Sequence, residues 1–303
     1  MSVDPRQWAA YSYELATILW GFTEHDFVTF AIPNSIFGML GAMTSIFVDG
    51  GATPPLARLL RNFPLVLFYN WSNLLIFDMA NQRSALSMAE DAVNKPWRPL
   101  ASGRVTSEQT RRGMLVVIPL VLLFHHHMGL WSCGLGIQAG IWVYNELGGG
   151  DEAFLREILI AIAYGVFNYG SFRLALGRGA EISSAGMAWI VRISAVVLTT
   201  MQIQDLKDMA GDRLRNRKTI ALLLGEGFSR ASVALLVCFW SYACARPWDL
   251  PWPAYGAIMA LGGLVATRVL SRRNVEDDRQ TWRLWCFWLC GLYLLPLASP
   301  AEG

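Results

Sequence analysis

Nine stretches of this chain are apolar for long enough to cross a lipid bilayer, and no other feature limits its fold as much. A spanning helix needs about 20 mostly apolar residues, because the hydrocarbon core is roughly 30 Å thick. The stretches fall near residues 27–48, 59–80, 112–131, 132–148, 155–175, 185–204, 229–246, 252–271 and 281–298, with almost nothing separating the third from the fourth. In lipid every backbone N–H and C=O must be satisfied internally, so such stretches predict helices. The expectation is an all-α, polytopic membrane protein of about nine transmembrane helices. Only 16% of residues are charged, against about 25% in soluble domains. The gaps hold no soluble domain, so residues 1–303 read as a single transmembrane domain. MSVDPRQWAAYSYELAT lacks the basic-then-apolar order of a secretory leader, so the first span is expected to direct insertion. A net charge of +2 points to no nucleic-acid partner. The five cysteines form no CxxC pair. Cys286 and Cys290 share a helix face, but small core thiols are the preferred reading for all five.

Lys and Arg set the orientation, since they are retained on the cytosolic side. With nine spans, nineteen of the 25 fall on the side of the N-terminus. They gather after the second span, after the sixth and before the ninth, joined by Arg6 and Arg156. The opposite side keeps Arg58, Arg61, Arg173, Arg178 and Arg246, and Arg192 lies inside a span. The N-terminus and the loops after the even-numbered spans are therefore expected to be cytosolic. In a eukaryotic host the membrane expected is the endoplasmic reticulum.

Two cytosolic loops carry dense charge: EDAVNKPWRPLASG at 90–103 and DLKDMAGDRLRNRKT at 205–219. Asp205, Asp208 and Asp212 are spaced i, i+3, i+7, which predicts one helical face. Three carboxylates so placed repel one another unless a cation sits among them. Mg²⁺ takes oxygen ligands and usually binds one or two carboxylates together with substrate phosphates. The cations that follow, among them Arg213, Arg215, Arg217 and Lys218, suit the phosphate part of such a substrate. The loop after the second span has the same grammar. Asp78, Asn81, Glu90 and Asp91 supply oxygens, Lys95, Arg98 and Arg104 supply charge, and Pro96 and Pro99 stiffen the turn. Local salt bridges in a solvated loop are the alternative for either cluster alone. Two such loops on one side of a membrane favour a diphosphate held by bridging metal ions.

The pair resembles the UbiA superfamily of intramembrane prenyltransferases, over nearly the whole chain. NKPWRPLASG at 94–103 and DLKDMAGDRLRNRKT carry the likeness. That family has nine spans around a central cavity. Its first motif has the form NxxxDxxxD, followed by NKPxRPxxSG; its second is DxxxD or DxxDxxxD, followed by a basic stretch and Thr. The resemblance implies Mg²⁺ held by Asp91, Asp205, Asp208 and Asp212. The first motif departs from the pattern: its middle acid position falls on or near Ser87, with Asn81, Glu90 and Asp78 available to compensate. Asn73 is the other candidate for the motif Asn, but it sits higher in the span. Lys95, Arg98, Arg213 and Lys218 are the expected diphosphate contacts. Tyr144, in WVYNELGGGDE at the end of the fourth span, matches a family Tyr. The basic pair that accompanies it is replaced by Glu146 and Asp151, so that contact is lost or passes to Arg156.

Other residues carry weaker signals. A mid-membrane arginine faces a cavity or a partner, so Arg192 is expected to touch the diphosphate or pair with an acid such as Glu181. His125, His126 and His127 point in different directions on a helix and read as interfacial. Glu24, His25 and Asp26 read as a polar lip before the first span. Trp8, Trp20, Trp131, Trp248 and Trp252 fit interface belts. Tyr69, Trp71, Trp142, Tyr144, Phe167, Tyr169 and Trp189 fall nearer the expected cavity walls, where ring faces would stabilise a carbocation.

Ionising an allylic diphosphate needs Mg²⁺, cations for the leaving group and a dry cavity. The carbocation is then captured by an acceptor or attacked by its own double bonds. DMANQ…EDAVNKPWRP and WVYNELGG look like the fungal secondary-metabolism branch of the superfamily, which contains membrane-bound terpene cyclases. Cyclisation of a farnesyl or geranylgeranyl diphosphate is the preferred expectation, and prenyl transfer to an aromatic acceptor the alternative. A transporter is a distant third, because the charge lies at the cytosolic ends and not at mid-bilayer. The partners implied are the polyprenyl diphosphate and the bilayer, with no obligate protein partner.

Overall fold

The apolar stretches form helices, and among the described residues the only strand-like pairing is one antiparallel bridge between Val48 and Ile182. The structure is a computed structural model that describes residues 5–299, with side chains from residue 11 onward. Arg6 and Trp8 therefore lie outside the residues whose side chains are described.

The first rod is longer than the sequence predicts. Helix α1 (Pro5–Asp26) continues through a π turn (Phe27–Ala31) into α2 (Ile32–Met43). Glu24, His25 and Asp26 lie within this rod, whose Tyr11–Met43 portion is apolar enough to cross a membrane. Their polarity made the first span look as if it began at residue 27. A π turn inside a helix commonly marks a functional place. It directly follows Asp26.

The remaining spans are α3 (Leu56–Gln82), then, after the short α4 (Ala85–Asn94), α5 (Ser107–His127), α6 (Trp131–Asn145), α7 (Ala153–Leu176) and α8 (Ser184–Thr200). Helix α8 tightens into a 3₁₀ segment, Met201–Lys207, before the short α9 (Met209–Arg215) and α10 (Ile220–Leu223). Helices α11 (Glu226–Ala245), α12 (Trp252–Ser271) and α13 (Val275–Ala298) complete the bundle. Among the described residues five rods are apolar and long enough to span by length and composition alone: the first, α7, α8 with its 3₁₀ end, α11 and α12. Helix α6 has only 15 residues, and α3 gives up apolar length to the Asn and Asp residues near its end. Gly129, at φ 74°, turns the chain between α5 and α6, so the third and fourth spans are separate.

Lipid gives helices no hydrophobic reason to associate, so small residues and interhelical hydrogen bonds hold them. The Asn70 amide of α3 donates to Ser35 of α2 at 3.0 Å and to Ser171 of α7 at 2.8 Å. Gly38 of α2 lies against the Ser171 backbone, where an added Cβ would come within 2.5 Å of the carbonyl carbon. Gly38→Ala is expected to push α2 from α7 and cost about 1–3 kcal/mol. Thermal inactivation in detergent reads it; an unchanged midpoint would show that the close approach contributes nothing.

The consequence for function is directional. The C-terminal ends of α3, α6 and α8 and the N-terminal end of α7 reach the same side of the bundle, where α4 and α9 lie together.

Candidate active site

The loops after the second and sixth spans meet. Helix α4 starts where Ser84 caps it, accepting from the Ser87 N–H at 3.0 Å. It carries Glu90, Asp91 and Asn94 to α9. The Asn94 amide donates to the Asp208 carbonyl at 3.1 Å, and Gly211 leaves no room for a Cβ beside Asn94. Arg215 and Arg217 reach across to Glu90 at 3.1 and 3.2 Å.

Charge at this mouth is organised around buried arginines. Arg98 bonds Asp91 at 3.0 Å and Asp26 at 2.9 Å, with Asp78 at 3.9 Å. Arg156 bonds Asp205 at 2.8 Å and Glu157 at 3.0 Å. Arg215 and Arg217 share Glu90 and Asp151, and Arg217 also bonds Asp212 at 3.2 Å. Lys207 pairs with Asp208. Ser87 stands near the missing middle acid position and accepts from Arg215 at 2.7 Å.

The spacing of the second motif works through a change of helix type. Asp205 and Asp208 are one 3₁₀ turn apart (Asp208 N–H to Asp205 C=O, 3.0 Å), and Asp212 is one α turn further (3.1 Å to Asp208 C=O). Their environments differ. Asp208 faces the cavity; burial opposes its charge, but Lys207 and Lys95 overcome this and hold its pKa down to about 2. Asp212 is pushed up to about 7 by burial and by neighbouring Asp205, with Arg217 pulling the other way. Burial also raises Asp91, partly offset by Arg98.

Below the charged mouth the cavity is apolar. Asn81, Glu90, Asp91, Lys95, Arg98, Arg156, Lys207, Asp208, Arg215 and Arg217 line its upper part; Leu74, Phe77, Ile137, Ile141, Tyr144, Tyr164 and Phe167 line its walls and floor. Phe30 lies edge-on to Tyr164 and to Phe167, with ring centroids 4.9 and 4.8 Å apart.

Several oxygens here are buried without a hydrogen bond: both carboxylate oxygens of Asp78, Asn81 Oδ1 and Asp212 Oδ2. Among the described residues no three His, Cys, Asp or Glu side chains gather closely enough to hold a metal by themselves. That donor set fits an ion completed by substrate oxygens, as Mg²⁺ commonly is.

The predicted residues divide. Asn81, Glu90, Asp91, Lys95, Arg98, Tyr144 and Asp208 line the cavity, whereas Asp78, Asp205 and Asp212 sit behind it, against arginines. Arg213 is exposed, and Lys218 pairs outward with Glu152 at 2.9 Å. Arg215 and Arg217 take the places expected of them. Helix α9 ends at Arg215, and Asn216, at φ 58°, reverses the chain. Arg215 is one turn from Asp212, a periodicity that identifies it over Arg213. Arg192 does not line the cavity; its guanidinium lies over the Trp189 ring, 5.8 Å from the centroid. The expected partner Glu181 is taken by Arg173 at 2.7 Å.

His25 and Asp26 line the cavity and are more than a lip. Glu146 pairs with Arg83, and Asp151 binds Arg215 and Arg217, so the acids replacing the basic pair anchor other cations. Lys207 was not anticipated. Its signal was adjacency to Asp208 on the tightened helix. His125 is buried, 2.9 Å from the Asn73 amide, while His126 and His127 are exposed. Tyr69, Trp71, Trp142, Tyr169 and Trp189 do not reach the cavity; Phe30, Phe77, Tyr164 and Trp282 do.

Comparison with known proteins agrees with this architecture. The UbiA prenyltransferase family profile matches residues 36–290. Fumagillin beta-trans-bergamotene synthase of Aspergillus fumigatus is 30% identical over 235 residues, covering 78% of this chain and 80% of that protein. A diterpene cyclase of Hericium erinaceus is 28% identical, covering 90% and 85%. A UbiA homologue from Archaeoglobus fulgidus, solved bound to GPP and Mg²⁺, superposes with a TM-score of 0.61 at 12% identity over 92% of this chain and 99% of that one, a likeness of fold. Nine helical rods among the described residues, two charged loops meeting over one apolar chamber, and a profile spanning most of the sequence place this chain in the UbiA prenyltransferase family, as a membrane enzyme of the terpene cyclase or prenyltransferase kind.

Proposed function

We propose that the protein ionises a polyprenyl diphosphate, farnesyl or geranylgeranyl, and closes the resulting allylic cation on itself to give a terpene hydrocarbon and diphosphate. The observation that carries this reading is the junction of α4 and α9 above an aromatic-floored cavity. It offers acids and bases to a diphosphate at one end and a dry apolar space to a prenyl chain at the other. Cyclisation is favoured over transfer because the two curated relatives described above are a bergamotene synthase and a diterpene cyclase.

Asp208, Asp91, Asn81 and Glu90 would hold Mg²⁺ from the cavity wall, with Asp78, Asp205 and Asp212 behind them. Bound there, Mg²⁺ supplies positive charge to the leaving diphosphate. Lys95, Arg98, Lys207, Arg215 and Arg217 bind the phosphate oxygens. Guanidinium groups now bonded to carboxylates can offer the same paired N–H donors to phosphate. When the C–O bond breaks, its electron pair leaves on diphosphate oxygen and the cation faces Phe30, Tyr164 and Phe167. A ring face stabilises a desolvated cation by about 0.5–2 kcal/mol. Attack by a distal double bond closes the ring, and the released diphosphate takes the final proton. The basic residues of the mouth orient it toward the cytosol, in the endoplasmic reticulum if the host is eukaryotic.

The test is incubation of the purified protein in vesicles with farnesyl or geranylgeranyl diphosphate as sole organic substrate. A hydrocarbon released together with diphosphate, and stopped by chelation, is the expected result. Turnover that begins only when an aromatic acceptor is added would replace the cyclase reading with the transferase one.

A further inference from the structure

Four of the five arginines that charge bias assigns to the far side of the membrane converge there on one cavity. Arg58 and Arg61 come from the first turns of α3, Arg173 from the end of α7 and Arg178 from the loop beyond it. Asn62 and Leu65 help to line it. Helix α3 separates this place from Asp78 by about 25 Å of rise.

Its charge is poorly compensated. Arg173 pairs with Glu181 at 2.7 Å, and Arg178 donates to the His127 carbonyl at 3.5 Å. Among the described residues Arg58 and Arg61 make no ion pair and no side-chain hydrogen bond. Asp49, the other acid near Glu181, makes no ion pair either. Arg58 and Arg61 also stand at the N-terminus of a long helix that Pro55 leaves without a side-chain cap. The helix dipole is positive there and disfavours cations. An anion in the cavity relieves both repulsions, and a phosphate group matches arginine donors in pairs. Beside the cavity, α3 exposes Leu56, Leu60 and Phe63, a surface suited to an acyl chain.

We propose that this cavity binds the phosphate headgroup of an anionic phospholipid from the leaflet opposite the active-site mouth. The assignment rests on the membrane fold and not on the reaction proposed above.

The experiment is native mass spectrometry of the full chain released from nanodiscs of phosphatidylcholine containing phosphatidylglycerol. The wild type is expected to retain phosphatidylglycerol selectively. Arg58→Gln/Arg61→Gln/Arg178→Gln is expected to lose that retention about 100-fold, at the usual contribution per interfacial cation. Its diphosphate release should persist. Arg178→Gln alone, in a loop and bonded among the described residues only to a carbonyl, should weaken retention about fivefold on the same scale, and it serves if the triple variant fails to fold. Equal retention of the two lipids by the wild type, or unchanged retention in either variant, overturns the site. If inorganic phosphate raises the melting temperature as much as phosphatidylglycerol does, the cavity takes free phosphate and the lipid assignment fails.

Discussion

Asp208→Ala is expected to lower diphosphate release by a factor on the order of 10³ or more, while the protein still inserts and melts near the wild-type temperature. The argument is one of position. Asp208 is the acid of the second cluster that itself faces the cavity, and it is held ionised by Lys207 and Lys95. Among the described residues its side chain bonds only Lys207, and it is the Asp208 backbone carbonyl that receives Asn94. Removing the carboxylate therefore leaves the α4–α9 junction standing, and Lys207, which loses its partner, still lines the cavity mouth together with Asp26, Glu90 and Asp91. Asp205 and Asp212 do not allow so clean a test. Their carboxylates neutralise the buried Arg156 and Arg217, and stripping a partner from a buried charge costs about 3–5 kcal/mol. Activity lost in those variants would mix folding with chemistry. Assay of the reconstituted Asp208→Ala protein for released diphosphate, alongside its melting curve, separates the two. Turnover at the wild-type rate would remove Asp208 from the machinery and with it the metal assignment.

The helices are legible in the sequence because lipid imposes a single demand, an unbroken run of apolar residues with an internally satisfied backbone. From α3 onward the predicted spans agree with the structure to within several residues. The first rod was misjudged for the same reason. Glu24, His25 and Asp26 break the apolar run, yet they remain helical because Asp26 finds Arg98 at 2.9 Å, a partner 72 residues away. Tertiary pairing of that kind leaves no local trace. The two charged clusters were legible as clusters, and their approach followed from counting spans. Which cation faces inward was not. Arg213 and Arg215 differ by half a turn of α9, and Arg217 points inward only because Asn216 adopts a left-handed conformation. The cavity aromatics were hidden in a different way. Phe30 and Tyr164 belong to separate helices, and nothing in either segment distinguishes them from Tyr69, which packs on His125 instead.

Arg98→Met is expected to damage both folding and function, and a second substitution separates the two effects. Arg98 is buried and is the cation common to Asp26, Asp78 and Asp91, drawn from three helices. Asp78 is the most dependent on it: among the described residues the buried carboxyl makes no hydrogen bond and has Arg98, at 3.9 Å, as its only ion-pair partner. Replacing the guanidinium by a thioether of similar length leaves three acids facing each other across the cavity mouth. The expected cost is about 3–5 kcal/mol, seen as a melting temperature lower by on the order of 10 °C. Adding Asp78→Asn replaces the most deeply buried of the three acids by a neutral amide and should return part of that loss, because one carboxyl fewer then faces Asp26 and Asp91. Diphosphate release should not return in the double variant. The group that would grip the leaving phosphate is still absent, and one such donor contributes a factor of roughly 10²–10³. A single variant that melts like the wild type would mean that the arginine does not hold the mouth together. A double variant that regains turnover along with stability would make Arg98 a structural counter-charge and move the diphosphate contact to Lys95, Lys207 and the Arg215–Arg217 pair.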